Sequence, residues 1–224
     1  LEERGYLKAV REYIGISAGA LCAMCLCIGC TLAELRMIIQ LLDFGLLRDL
    51  DPETILNFPE TFGLDSGENL GKLVAAILRA KKLPPTITFQ ELAARRLGPR
   101  LRVFVTNLNT CRVQEFSAAA SPDIEVRFAL TASMCIPIYF KPLRHPETGH
   151  YLVDGGVICH SPLKFLSPDE RDHTLSITFD DSHKPKEEVQ NLFMFLGQLY
   201  YTLDYQYNEE LVTGRDYNTI FIDC

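Results

Sequence analysis

The sequence predicts an α/β protein with a largely parallel sheet covered on both faces, and three observations predict it. Short β-branched and aromatic runs alternate with stretches of helical apolar spacing along the chain. The run Leu101–Thr106 is apolar enough to be a strand buried on both sides. The 224 residues are 47% hydrophobic and 23% charged, without repeat, linker or composition break, which fits one globular domain with its own core.

The elements follow in order. From Ile14 to Ala33 there are 20 residues without a charge, long enough to cross a bilayer. Its Gly15, Ser17, Ala18, Gly19, Ala20, Ala23 and Gly29 are small, and a buried strand running into a buried helix explains it better than a span. Thr31-x-x-Glu34 is a capping box, followed by Leu32, Leu35, Ile38, Ile39 and Leu42 at helical spacing and a stop at Gly45. Asp51-Pro52 opens a short turn or helix. Leu70, Leu73, Val74, Ile77 and Leu78 form an amphipathic helix ending near Lys81-Lys82, and these lysines read as a solvated helix end. Thr88-x-x-Glu91 caps the next helix, which Gly98-Pro99 ends.

Leu101–Thr106 and Arg112–Phe116, joined across Asn107-Leu108-Asn109, read as a strand and its hairpin partner. Ser121-Pro122 caps a helix through Val126, Phe128, Ala129 and Leu130. Tyr151–Val153, Leu175–Phe179 and Thr219–Ile222 are further strands, and Val189 to Tyr207 has the spacing of a long amphipathic helix.

Composition excludes several function classes. With 22 basic and 29 acidic residues the net charge is −7, so nucleic acid is not an expected partner. In a helix, Cys22, Cys25, Cys27 and Cys30 project at about 0°, 300°, 140° and 80° over about 12 Å of axis. They cannot converge on one metal ion, and buried, reduced thiols of an intracellular chain are expected. No P-loop or dinucleotide fingerprint occurs, and Asp65-Ser66-Gly67-Glu68 lacks a calcium ligand series and reads as a polar helix start. No metal and no cofactor are expected.

Two stretches carry chemistry. Gly15-Ile16-Ser17-Ala18-Gly19 is a G-x-S-x-G between a short strand and a small-residue helix, the setting of a nucleophile elbow. Side chains at the flanking positions are expected to clash, hence Gly15 and Gly19, and the helix N-terminus favours a developing anion. Asp154-Gly155-Gly156 follows the strand Tyr151–Val153. Gly155 and Gly156 allow positive φ, which lets Asp154 point into a site, where it would serve as the base that a serine hydroxyl needs.

These stretches resemble the patatin-like phospholipases. The likeness rests on Gly15–Ala20, on Asp154-Gly155-Gly156, and on Ala129–Pro137, which is similar to the family's A-x-x-A-S-x-x-I-P segment. Leu1–Leu7 resembles the helix end that leads to the family's nucleophile strand. The likeness runs from residue 1 to about residue 165, and the remaining residues match no motif. It implies a three-layer α/β/α fold and a lipid acyl hydrolase of the phospholipase A or lysophospholipase type. Ser17 would be the acyl nucleophile and Asp154 the general base, without histidine, metal or cofactor. The implied substrate is a phospholipid or lysophospholipid at a membrane surface, reached by a cytoplasmic chain acting peripherally.

The family also carries a glycine-rich loop that supplies oxyanion-hole N–H groups ahead of the nucleophile. Only 16 residues precede Ser17, and none forms such a run. Residues 1–224 are therefore expected to be a single patatin-like domain lacking its N-terminal strand and that loop. Two alternatives remain from the residues alone. One is a Ser–Asp–His triad using His173 or His183, and the other is a catalytically silent storage or binding module. An acyltransferase would use the same Ser17 and Asp154.

Overall fold

In the computed structural model, which describes residues 5–41, 56–158, 161–180, 194–195, 198 and 218–223, the chain enters its central sheet along β1 (Glu12–Ile16). It leaves through Ser17 into α1 (Ala18–Cys27), apolar on every side and buried at Ala20, Leu21, Ala23, Met24, Cys25 and Cys27. Gly29, with φ 78°, closes the helix in the left-handed conformation, and Cys30 N–H returns to the Cys25 carbonyl at 2.8 Å. The uncharged stretch is thus divided between strand and helices, and no described helix is long and apolar enough to cross a membrane.

The expected capping box starts α2 (Leu32–Leu41): Glu34 N–H donates to Thr31 Oγ1 at 3.2 Å and Thr31 N–H to Glu34 Oε2 at 2.7 Å. Lys81 is not a solvated end, since its Nζ lies 2.8 Å from Glu34 Oε1. Hydrogen bonds from Lys81 and Thr31 hold the Glu34 carboxyl down at about 2. Beyond Leu41 the expected stop at Gly45 and the Asp51-Pro52 turn lie outside the described residues.

After α3 (Phe58–Thr61) and β2 (Gly63–Asp65), α4 (Glu68–Ala80) buries Leu70, Val74, Ile77 and Leu78, the predicted stripe. Asp65 is fully buried at the end of β2, and its Oδ1 accepts from Gly67 N–H at 2.8 Å. The Thr88–Glu91 box opens α5 (Phe89–Arg95). β3 (Arg100–Asn107) and β4 (Arg112–Ser117) form the predicted hairpin. The next helix, α6 (Val126–Ser133), begins later than Ser121-Pro122 suggests. Residues 122–126 are tied to the start of α5 by Phe89 N–H to Ile124 O at 3.1 Å and Val126 N–H to Ile87 O at 3.0 Å, so the backbone is not free to turn before Glu125. β5 (Ile138–Phe140), β6 (Leu143–Arg144) and β7 (Tyr151–Asp154) follow.

The five-stranded sheet runs β1-β3-β7-β6, with β4 also paired to β3. The α/β class stands, but the described sheet is mixed rather than largely parallel. β1–β3 is parallel, whereas β3–β4, β3–β7 and β6–β7 are antiparallel. The turns between β3 and β4 and between β6 and β7 are short, and short links join only antiparallel neighbours. A separate parallel pair joins β2 to β5. Val103 to Asn107 of β3 are all buried, so this strand is covered on both faces. α1 packs on β1 and β3, α6 on β3 and β7, and α5 on β3 and β4.

One feature of the register positions the site. β4 pairs with Arg102–Asn107, which occupies one edge of β3. β1 pairs with Arg100–Phe104 and β7 with Val105–Asn107, and both must therefore share the other edge. They run in opposite directions and meet end to end, with Ile16 opposite Phe104 and Asp154 opposite Val105.

The chain divides into two compact units, residues 1–156 and 157–224. In the second, α7 (Pro168–Asp172) carries a Ser167–Glu170 capping box, and β8 (Ser176–Asp180) pairs in parallel with β9 (Thr219–Asp223). Both strands lie within a residue of their predicted positions. The predicted Val189–Tyr207 helix lies almost wholly outside the described residues, as do His160 and His183.

Candidate active site

Where β1 and β7 meet, Ser17 follows the end of one strand and Asp154 is the last residue of the other. Ser17 Oγ donates to Asp154 Oδ2 at 2.6 Å, the length of a hydroxyl–carboxylate bond. The second carboxylate oxygen, Oδ1, accepts from Gly156 N–H at 2.7 Å, and Asp154 N–H donates to the Cys135 carbonyl at 2.8 Å. Asp154 is only 5% exposed, while Ser17 is half-buried and its neighbours Ala18 and Gly19 are open to solvent. The carboxylate is thus held from below, with its partner hydroxyl at the surface.

Ser17 has φ 52° and ψ −128°, a conformation that costs a residue with a Cβ about 1–3 kcal/mol. This is the sharp strand-to-helix turn expected of the motif. Its hydroxyl points at Asp154 and does not cap α1, which leaves the Ala18 and Gly19 N–H groups without an acceptor among the described residues. The backbone of Ser17 is fixed from the other side: its N–H donates to Ser133 Oγ at 2.9 Å, and Ser133 Oγ donates to the Phe104 carbonyl at 2.8 Å.

The glycines divide differently from expectation. A Cβ at Gly15 would lie 2.4 Å from Ala20 Cα and 2.6 Å from the Gly19 carbonyl, so Gly15 is required by the approach of α1 to β1. Gly19 has nothing within 4 Å of that position, and no clash dictates it. Gly155 and Gly156 lie in a 3-10 turn, Gly155–Val157, and neither has the positive φ anticipated. Gly155 is needed for a close approach, because its Cβ would stand 2.6 Å from the Phe104 carbonyl and 3.0 Å from Ile16 Cγ2.

The direct 2.6 Å bond leaves no space for an imidazole between Ser17 and Asp154, as a triad requires. The described histidines are engaged elsewhere. His145 is buried, stacked on Phe116 and edge-on to Phe128, and His150 Nδ1 lies 3.2 Å from Asn107 Nδ2. His173, in the second unit, bonds the Asp169 carbonyl at 2.8 Å.

Cys25, Cys27 and Cys30 are buried unpaired thiols and Cys22 is half-buried. Burial pushes Cys25 up to about 12 and Cys27 to about 11. Cys135, beside the site, is pushed to about 12 by burial and by the nearby Asp154 and Asp65 carboxylates. Among the described residues no group of His, Cys, Asp and Glu is arranged to hold a metal. Sequence reasoning missed Ser133. It stands inside the segment Ala129–Pro137, but nothing in the spacing says that its hydroxyl reaches the Ser17 backbone.

The patatin-like phospholipase family model matches residues 1–166. A probable lipid hydrolase, 463L of Invertebrate iridescent virus 6, is 30% identical over 157 residues, covering 70% of this chain and 53% of its own. The uncharacterized protein YqhO of Bacillus subtilis is 27% identical over 237 residues, covering 99% of this chain and 79% of its own. The crystal structure of VipD from Legionella pneumophila shares the fold, with a TM-score of 0.60 at 17% identity, and the match covers all of this chain and 57% of VipD. The chain spans little more than half the length of 463L and of VipD. With the family model covering both the serine elbow and the strand end that meets it, the chain belongs to the patatin-like phospholipases.

Proposed function

We propose that this chain hydrolyses fatty-acyl esters of phospholipids or lysophospholipids, with Ser17 as nucleophile and Asp154 as general base. The observation that carries the reading is the direct Ser17–Asp154 hydrogen bond of 2.6 Å at a strained elbow. As Ser17 Oγ attacks the ester carbonyl carbon, its proton passes to Asp154 Oδ2. The negative charge forms on the former carbonyl oxygen, where the Ala18 and Gly19 N–H groups at the start of α1 offer donors. The acyl–oxygen bond then breaks, the departing alcohol takes the proton from Asp154, and the acyl group stays on Ser17. Water attacks this acyl-enzyme, gives its proton to Asp154, and Ser17 recovers that proton as the fatty acid leaves.

Asp154 must be ionised at the start of each half, so the rate falls as the pH is lowered. A lipid substrate agrees with an apolar side chain beside the site: Ile136 follows the residue whose carbonyl holds Asp154 and is 47% exposed. An enzyme of this kind works peripherally, at the surface of a membrane or micelle.

The test is fatty-acid release from phosphatidylcholine vesicles and lysophosphatidylcholine micelles. The expected result is release by the wild-type chain, background release by Ser17→Ala, and a fall of about 10²–10⁴-fold in Asp154→Asn. Release by Ser17→Ala at the wild-type rate would overturn the assignment. Release that depends on an added acceptor alcohol would instead make the chain an acyltransferase working through the same acyl-enzyme.

A further inference from the structure

Ser133 is fully buried, at 0% exposure, in the last turn of α6. A buried hydroxyl needs partners, and this one has two, neither of them within its own helix. It accepts from Ser17 N–H at 2.9 Å and donates to the Phe104 carbonyl at 2.8 Å. These are the groups that come next in the ladder once β1 ends at the pair Ile16–Phe104. A strand that continued straight would keep that N–H in the sheet. The elbow instead turns away toward α1, and the Ser133 oxygen stands between the departing N–H and the carbonyl left behind.

Resting on the reading of Ser17 as nucleophile, we infer that Ser133 is a positioning residue that holds the strained Ser17 backbone so that its hydroxyl meets Asp154. The surroundings of the Phe104 carbonyl place the hydroxyl close to the centre of the site. Phe104, whose carbonyl it grips, stands beside Val105, the partner of Asp154 in the sheet. The same carbonyl lies 2.6 Å from where a Gly155 Cβ would stand. Ser133 therefore ties together two of the three backbones that converge on the dyad, β3 and the end of β1, while the third, the start of the turn after β7, closely approaches the carbonyl it grips. Its own oxygen never touches the reacting atoms, so it acts through Ser17.

Without the hydroxyl, Ser17 N–H and the Phe104 carbonyl both lose a partner, and the elbow is free to relax toward ordinary dihedrals. Misplacing a nucleophile by about 1 Å costs on the order of 10²-fold in rate. Ser133 is fully buried, so its removal takes away no group that a substrate could touch. The loss belongs in the bond-forming step.

The experiment follows the rate of covalent fluorophosphonate attachment against reagent concentration, which separates the inactivation rate from the reagent's binding constant. It compares the wild-type chain with Ser133→Ala and Ser133→Cys well below each variant's unfolding transition. The expected result is a fall of about 10–10²-fold in the inactivation rate for Ser133→Ala, with the binding constant and the pH midpoint unchanged. Ser133→Cys, whose thiol is a weaker donor and acceptor, is expected between the two. A Ser133→Ala rate within twofold of wild type would overturn the inference and leave the nucleophile assignment intact. An unlabelled wild-type chain would reject that assignment and this inference with it. Should Ser133→Ala fail to fold, Ser133→Cys decides alone: a slowed rate supports the inference and a wild-type rate overturns it.

Discussion

The two glycines of the G-x-S-x-G motif respond oppositely to the same substitution. At Gly15 a methyl group would meet Ala20 Cα at 2.4 Å, Ala20 N at 2.5 Å and the Gly19 carbonyl at 2.6 Å. All three are backbone atoms of the α1 turn, and carbon contacts prefer about 3.5–4.0 Å, so β1 and α1 must part by about 1 Å. Overpacking of this kind costs about 1–3 kcal/mol, here at a buried position where no flexible side chain can yield. Gly19 is exposed, sits within the first turn of α1, has no positive φ and faces open space. Its replacement by alanine gains up to about 0.5–1 kcal/mol of helix propensity. The two variants should therefore differ by about 1.5–4 kcal/mol in urea unfolding followed by circular dichroism. Gly15→Ala is the less stable. A Gly15→Ala chain as stable as wild type, or a Gly19→Ala chain less stable than Gly15→Ala, would refute the reasoning.

Further predictions concern the interior. Burial holds the His145 imidazole below its ordinary value of 6.5; the nearby His150 adds to this and Glu147 opposes it. The folded state thus prefers neutral His145, so its contribution is present above about 6.5 and lost as the pH falls through the lowered folded value. Urea midpoints from about pH 8 to about pH 5 should fall more for wild type than for His145→Asn, and equal slopes would refute this. Phe116 is fully buried between His145 and Phe128, and Phe116→Ala should cost about 3–5 kcal/mol in the same assay. Under native conditions at neutral pH, iodoacetamide should modify the exposed Cys111 well before buried Cys25, Cys27 or Cys135, as peptide masses would show. Equal rates at Cys111 and Cys135 would contradict the packing described.

What could be read from sequence was whatever the chain encodes locally. The Thr31–Glu34 and Thr88–Glu91 boxes form as read, because a capping box joins residues three apart. The hairpin of β3 and β4 and the buried stripe of α4 are local in the same sense. Both residues of the Ser17–Asp154 hydrogen bond were legible as candidates, since a serine on a strand-to-helix turn and an aspartate at a strand end each carry a short pattern. That the two would pair was expected from their chemistry and from the family resemblance, but how they come together was not legible. It depends on β1 and β7 sharing one edge of β3 end to end, a long-range register that no local pattern specifies. Ser133 escaped for the same reason, being 116 residues from the backbone it holds. Lys81 looked like a solvated end until Glu34, 47 residues away, supplied its partner. The reason for Gly155 was likewise tertiary: a neighbouring carbonyl, not a dihedral angle.

In the proposed reaction Asp154 activates Ser17 directly. Intact mass after fluorophosphonate treatment tests it on the wild-type chain, Ser17→Ala and Asp154→Asn. The expected result is one adduct on wild type, none on Ser17→Ala, and on Asp154→Asn a single adduct that forms far more slowly. Labelling of Asp154→Asn at the wild-type rate, or no adduct on a folded wild-type chain, would contradict it.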